Sequence, residues 1–106
     1  YEVADAQRTR PDICIGTDDF HTPAELTAAI VDQFCRTGLS VKLNDPFAGA
    51  LVPISRYLKD PRVSALMVEV NRKLYLQADT AQKVPDFNKV AAKIREACIF
   101  CLRNCI

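Results

Sequence analysis

The run Val63-Ser64-Ala65-Leu66-Met67-Val68-Glu69-Val70 is almost continuously apolar and rich in β-forming residues. That is the pattern of a strand with both faces covered, and it predicts a central strand in a sheet. The stretches on either side make the sheet α/β. Upstream, Pro11 introduces Asp12-Ile13-Cys14-Ile15-Gly16, a short apolar run ended by glycine, which reads as a buried strand. Thr17 to His21 is a polar loop. Thr22-Pro23-Ala24-Glu25 then reads as a helix start, with Thr22 as cap, Pro23 in the first turn and Glu25 closing a capping box. Leu26, Ile30, Val31, Phe34 and Cys35 follow at helical spacing, and Gly38 supplies a left-handed stop.

Between this helix and the apolar run, Leu39 to Leu43 alternates like a half-buried strand. Asn44-Asp45-Pro46-Phe47-Ala48-Gly49 is a loop of turn formers. Leu51 to Leu58 reads as a short extended stretch interrupted by Pro53. Beyond the run, Phe87, Ala91, Ile94, Cys98, Cys101 and Cys105 mark one face of a helix from about Asp86 to Asn104. The order is strand, helix, strand, irregular β segment, strand, helix, without internal repeats.

The chain has 106 residues, enough for one small domain, with 49% hydrophobic and 25% charged residues. Lys plus Arg number 14 against 13 Asp plus Glu, a net charge of +1. That balance argues against a dedicated nucleic-acid or membrane-surface module, which needs a basic face. No apolar run approaches a transmembrane span and no secretory signal is visible. Five cysteines, an odd number at uneven spacing, do not form a disulfide framework, so a reducing, cytoplasmic setting is expected. Residues 1–10 lack periodicity and read as a lead-in, leaving 11–106 as the domain. The chain begins at Tyr1 rather than Met, which suggests a portion of something longer.

Glu69 stands out because an ionised carboxylate inside an apolar strand must be paired, exposed or functional. It either pairs with Arg72 or Arg56, points to solvent from an edge, or serves as a general base or acid at a crevice by the strand end. Asn71, Arg72 and Tyr75 follow directly and offer an amide, a planar fork and a phenol to a substrate carboxylate; local pairing and core packing are the plain alternatives. His21 is the single histidine, so a zinc site of two histidines and a carboxylate cannot be assembled here. Cys98-x-x-Cys101-x-x-x-Cys105 has metal-like spacing but lies toward a helix C-terminus and continues its apolar stripe, which favours core packing.

Three blocks in order resemble the N-formylglutamate amidohydrolase family: Arg10-Pro11-Asp12-Ile13-Cys14-Ile15-Gly16-Thr17-Asp18-Asp19-Phe20-His21-Thr22-Pro23, Asn44-Asp45-Pro46-Phe47-Ala48-Gly49-Ala50, and Val68-Glu69-Val70-Asn71-Arg72-Lys73-Leu74-Tyr75. The resemblance implies the C-terminal part of a three-layer α/β/α, carboxypeptidase-like (phosphorylase/hydrolase-like) fold, truncated at its N-terminus. It further implies zinc-dependent hydrolysis of the amide of an N-acyl amino acid such as N-formylglutamate. Glu69 matches the proton-accepting Glu, while Asn44, Phe47, Asn71, Arg72, Tyr75 and His21 become candidate substrate contacts. The zinc-binding segments of the family lie upstream of the matched part, so this chain is expected to hold no metal itself. The competing expectations are a catalytically inactive α/β protein that binds or self-associates through an uncovered sheet edge, and a cysteine-cluster metal module.

Overall fold

A computed structural model of the chain describes residues 10–77, 80 and 82–105. Strand β1 (Ile13–Thr17) leads into helix α1 (Ala24–Arg36), then strand β2 (Val41–Leu43), strand β3 (Leu66–Val70), a single 3-10 turn (Arg72–Leu74) and helix α2 (Phe87–Asn104). The sheet order is β2-β1-β3. Strand β2 runs parallel to β1 and β3 antiparallel to it. The central strand is therefore β1, and the apolar run expected at the centre forms an edge among the described residues. It is apolar because its Leu66, Val68 and Val70 all reach the core from one face, not because both faces are covered by helices.

Alternation along the strands divides the sheet into two unlike faces. Ile13 and Ile15, with Val41 beside them on β2 and Val68 and Val70 on β3, point toward both helices. There they meet Leu26, Ile30 and Phe34 of α1 and Ala97 and Cys101 of α2, all buried. These contacts form the core, and among the described residues both helices lie against one face of a mixed three-stranded sheet. The second face carries Lys42, Cys14, Gly16, Met67 and Glu69 and receives neither helix.

Helix α1 occupies the predicted place but does not start with the predicted capping box. Pro23, with ψ of 146°, takes the cap position and no side chain caps the helix. The Thr22 hydroxyl is used elsewhere, accepting from Asp18 N–H at 2.8 Å and donating to the Ala65 carbonyl at 2.6 Å. Gly38 closes the helix in the left-handed region as expected, with φ of 84°. Cys35 belongs to the predicted apolar stripe yet is exposed, since it stands about 100° round the helix from Phe34, on the edge of the face that Leu26, Ile30 and Phe34 bury. On α2, Ala97 is buried and Ala91 exposed, so the stripe lies slightly round the helix from the one expected.

The segment read as an extended stretch from Leu51 to Leu58 is a succession of turns. Arg56 and Tyr57 N–H both donate to the Pro53 carbonyl, and Lys59 and Asp60 N–H to that of Arg56. Pro53 presets its backbone dihedral and has no N–H for a strand ladder, so the local chain coils instead. Among the described residues no helix is long and apolar enough to cross a membrane.

Candidate functional site

The helix-free face of the sheet is built around Cys14. Its register partner on β3 is Glu69 and its partner on β2 is Lys42, so the three side chains form one row across the sheet. The buried Cys14 thiol donates to the Phe47 carbonyl at 3.3 Å, which brings the loop after β2 down onto the middle of this row. Two other residues, Asn44 and Gly49, hold the loop with four hydrogen bonds. Asn44, in the left-handed region at φ of 57°, donates its N–H to the Ile15 carbonyl at 2.7 Å. Its side chain accepts from Thr17 N–H and donates to Thr17 Oγ1, at 2.8 and 2.9 Å. Gly49 N–H donates to the Thr17 carbonyl at 3.1 Å. Gly16 permits this approach, because a side chain there would run into the Gly49 carbonyl oxygen and Met67.

Glu69 is exposed on this face, and among the described residues it forms no ion pair. The expected partners are otherwise disposed: Arg56 pairs with Asp60 at 2.9 Å, and Arg72 sits exposed on the 3-10 turn. Because β3 is antiparallel, Glu69 lies toward the carboxyl end of its own strand but beside the amino-terminal half of β1. The crevice rule for parallel strand ends therefore does not explain its position.

The other sequence candidates divide between two ends of the sheet. Asn71 N–H donates to the Asp12 carbonyl at 2.8 Å, its side-chain amide donates to the Pro11 carbonyl at 3.3 Å, and its Oδ1 accepts from Lys73 N–H at 3.0 Å. Its groups are committed to holding the end of β3 against the start of β1. Tyr75 is half-buried just beyond, and its carbonyl accepts from Val84 N–H. Asn44 and His21 lie at the opposite end, beyond Thr17.

His21 is almost fully buried, with a relative exposure of 1%. Its Nε2 accepts from Leu58 N–H at 3.0 Å, so the proton is on Nδ1, which donates to the Val63 carbonyl at 2.8 Å. The ring stacks on Tyr57 and meets the Phe20 ring edge-on. His21 therefore ties the turn segment to the loop after β1, and both ring nitrogens are engaged within the chain.

Among the described residues no three His, Cys, Asp or Glu side chains gather into a metal-binding group. The described side chains thus do not fit the zinc that the resemblance implies. The cysteines of α2 fit core packing. Burial raises the Cys98 thiol above its ordinary value, and burial together with Cys105 and Cys98 pushes Cys101 up to about 11. Protonated thiols of this kind are poor metal ligands and poor nucleophiles.

One residue outside the sequence candidates joins the site. Arg10, read as part of the lead-in, is half-buried, and its guanidinium carbon lies 5.5 Å from the centre of the Phe47 ring. Charge and periodicity carry no signal for this contact, since it depends on the path of the loop 34 or more residues later in the chain.

A three-stranded sheet with both helices on one face and a carboxylate on the other makes the described residues a small mixed α/β domain. The chain matches the N-formylglutamate amidohydrolase family over residues 2–76 and belongs to that family. The matched part ends before α2, so the three clustered cysteines lie outside it. The structure is similar to the crystal structure of N-formylglutamate amidohydrolase from Ralstonia eutropha JMP134, with a TM-score of 0.66 and 24% sequence identity. That similarity covers 92% of this chain and 34% of the other, so this chain spans about a third of its neighbour's length and the likeness is one of fold. No curated protein matches.

Proposed function

We propose that this chain takes part in hydrolysis of the amide of an N-acyl amino acid such as N-formylglutamate, with Glu69 as general base. The observation that supports the reading is the placement of Glu69, a solvent-facing carboxylate on the helix-free face of the sheet, beside the loop that Cys14 holds down. A carboxylate in this setting accepts a proton from a water attacking the amide carbonyl and returns it to the leaving amine. Asn71 positions it by fixing the end of β3 through Pro11 and Asp12. The Asn44 to Ala50 loop walls one side, and Arg72 and Tyr75 stand beyond the strand end. The zinc implied by the resemblance would supply polarisation of the amide carbonyl, with ligands from outside the described residues.

Belonging to the family is the support for the reaction type. The test is formate release from N-formylglutamate by the intact natural protein and by its Glu69→Gln variant. A base role predicts a loss of at least a hundredfold in kcat with folding unchanged. Hydrolysis that persists at the wild-type rate in Glu69→Gln sinks the assignment.

A second reading, binding or assembly without catalysis, has one observation in its favour. Leu51 and Ile54 are 97% and 90% exposed at the start of the turn segment, near exposed Leu58. Sedimentation of the chain with Leu51→Asp decides it: an oligomer that dissociates supports assembly, and a monomer in both forms removes it.

A further inference from the structure

We infer that His21 is an acid-operated latch. It holds residues 51–62 against the loop after β1 while its ring is neutral and releases them when the ring gains a proton. The inference stands apart from the amide-hydrolysis reading, in which neither His21 nor this segment has a part.

The first observation behind it is how little else bonds this segment to the rest of the chain. Among the described residues, the hydrogen bonds of residues 51–62 run within the segment or to Val63, the next residue, with one exception. That exception is Leu58 N–H, which donates to His21 Nε2 at 3.0 Å. Tyr57 adds a ring contact, stacked on the same imidazole with centroids 5.8 Å apart. The second observation is strain. Leu58 lies in the left-handed region, at φ of 58°, where a leucine side chain crowds its own backbone. The bond to His21 thus restrains a residue that relaxes on leaving.

The imidazole can hold Leu58 in one protonation state only. Nε2 must offer a lone pair to Leu58 N–H while Nδ1 donates to the Val63 carbonyl. A proton on Nε2 turns the acceptor into a second donor facing Leu58 N–H. It also places a positive charge on a side chain that is 1% exposed. The face of the Tyr57 ring attracts a cation, but that contact is weaker than the bond and solvation forfeited.

The charged groups on the elements around the ring are otherwise disposed. On its own loop, Asp18 Oδ1 accepts from Phe20 and His21 N–H, and Asp19 is exposed. On the segment, Asp60 pairs with Arg56 and Arg62, and Lys59 is exposed. The closed latch therefore excludes a proton that the open one accepts. Closure is full at high pH and weakens as pH falls below about 6.5, where a histidine in water takes up its proton.

The test is hydrogen-exchange protection of the Leu58 amide in the whole chain, corrected for the intrinsic rate, at pH 7.5 and 5.0. Protection should fall at least tenfold, with Ile30 in α1 remaining at least tenfold better protected than Leu58 at pH 5.0. In His21→Gln, whose side chain keeps an acceptor and a donor but does not titrate, the fall should shrink to less than threefold. His21 is the single histidine, so its nitrogen resonances in the wild type are unambiguous and should show a proton on Nδ1 alone at pH 7.5. Equal Leu58 protection at the two pH values overturns the inference, as does a proton on Nε2 at pH 7.5. Ile30 exchanging as fast as Leu58 would mean acid unfolding of the whole domain, and an undiminished fall in His21→Gln would place the proton elsewhere; either result also overturns it.

Discussion

Replacing Gly16 with alanine tests whether close backbone approach shapes the helix-free face. The new methyl group would lie 2.7 Å from Met67 Cε and deep inside the contact distance of the Gly49 carbonyl oxygen. The Met67 terminus can swing away, but the carbonyl is held by Gly49 N–H bonding to Thr17 and by Asn44 bonding to Ile15. Relief therefore requires the loop to lift. Overpacking of this kind costs about 3 kcal/mol, the upper part of the usual range, because main chain rather than a side chain must move. With a urea slope of about 1.5 kcal/mol per molar, the midpoint should fall by about 2 M. Gly38→Ala is the control: it meets nothing within 4 Å but sits at φ of 84°, so only backbone strain of about 1 kcal/mol applies. Hydrogen exchange gives the local reading, with the Gly49 and Asn44 amides losing protection in Gly16→Ala alone. Equal midpoints for the two variants, with those amides still protected, would refute the reasoning.

His21→Ala leaves the Leu58 N–H and the Val63 carbonyl without partners and opens a cavity between Phe20 and Tyr57, a loss of about 3 kcal/mol in thermal or urea unfolding; an unchanged melting point would show that the tie is dispensable. The hydrogen bonds from Arg62, aided by Arg56, hold the Asp60 carboxyl well below the usual carboxylate range. A depressed carboxylate stabilises the fold above its unfolded pKa and loses that contribution as pH falls through the folded value. The stability gap between wild type and Asp60→Asn should accordingly be full at neutral pH and shrink as pH drops below about 4, and a gap independent of pH would remove the ion cluster as its cause. Exposed Cys35 should react first with a thiol reagent at pH 8, whereas Cys101, buried and pushed up to about 11, should react only on unfolding; equal native rates would contradict the packing of α2.

Both helices and β1 are legible in the sequence because their signals are local. Apolar residues three and four apart, a proline near the start and a glycine just past the end specify α1 without reference to anything distant. The apolar spacing from Phe87 to Cys105 does the same for α2. The three blocks that resemble the family are equally local, and the family match confirms them as far as Leu76. Local signals fail where a group has a choice of partners. Thr22 looks like a cap, but Asp18 and Ala65 claim its hydroxyl once the loop folds over.

Tertiary structure alone decides the sheet order, the antiparallel sense of β3 and therefore which side chains share a face with Glu69. Apolarity reports that a residue leaves water, not on which side of which neighbour it does so; the run from Val63 to Val70 accordingly reads as a central strand, whereas Leu66–Val70 forms an edge among the described residues. His21 and Arg10 show the same limit. Nothing near either residue in sequence reveals that Leu58 and Val63 will engage both imidazole nitrogens, or that Phe47 will lie beneath the guanidinium. Such contacts exist only after chain segments tens of residues apart have packed, because hydrogen bonds and ring contacts act at a few ångströms in space with no regard for separation along the chain.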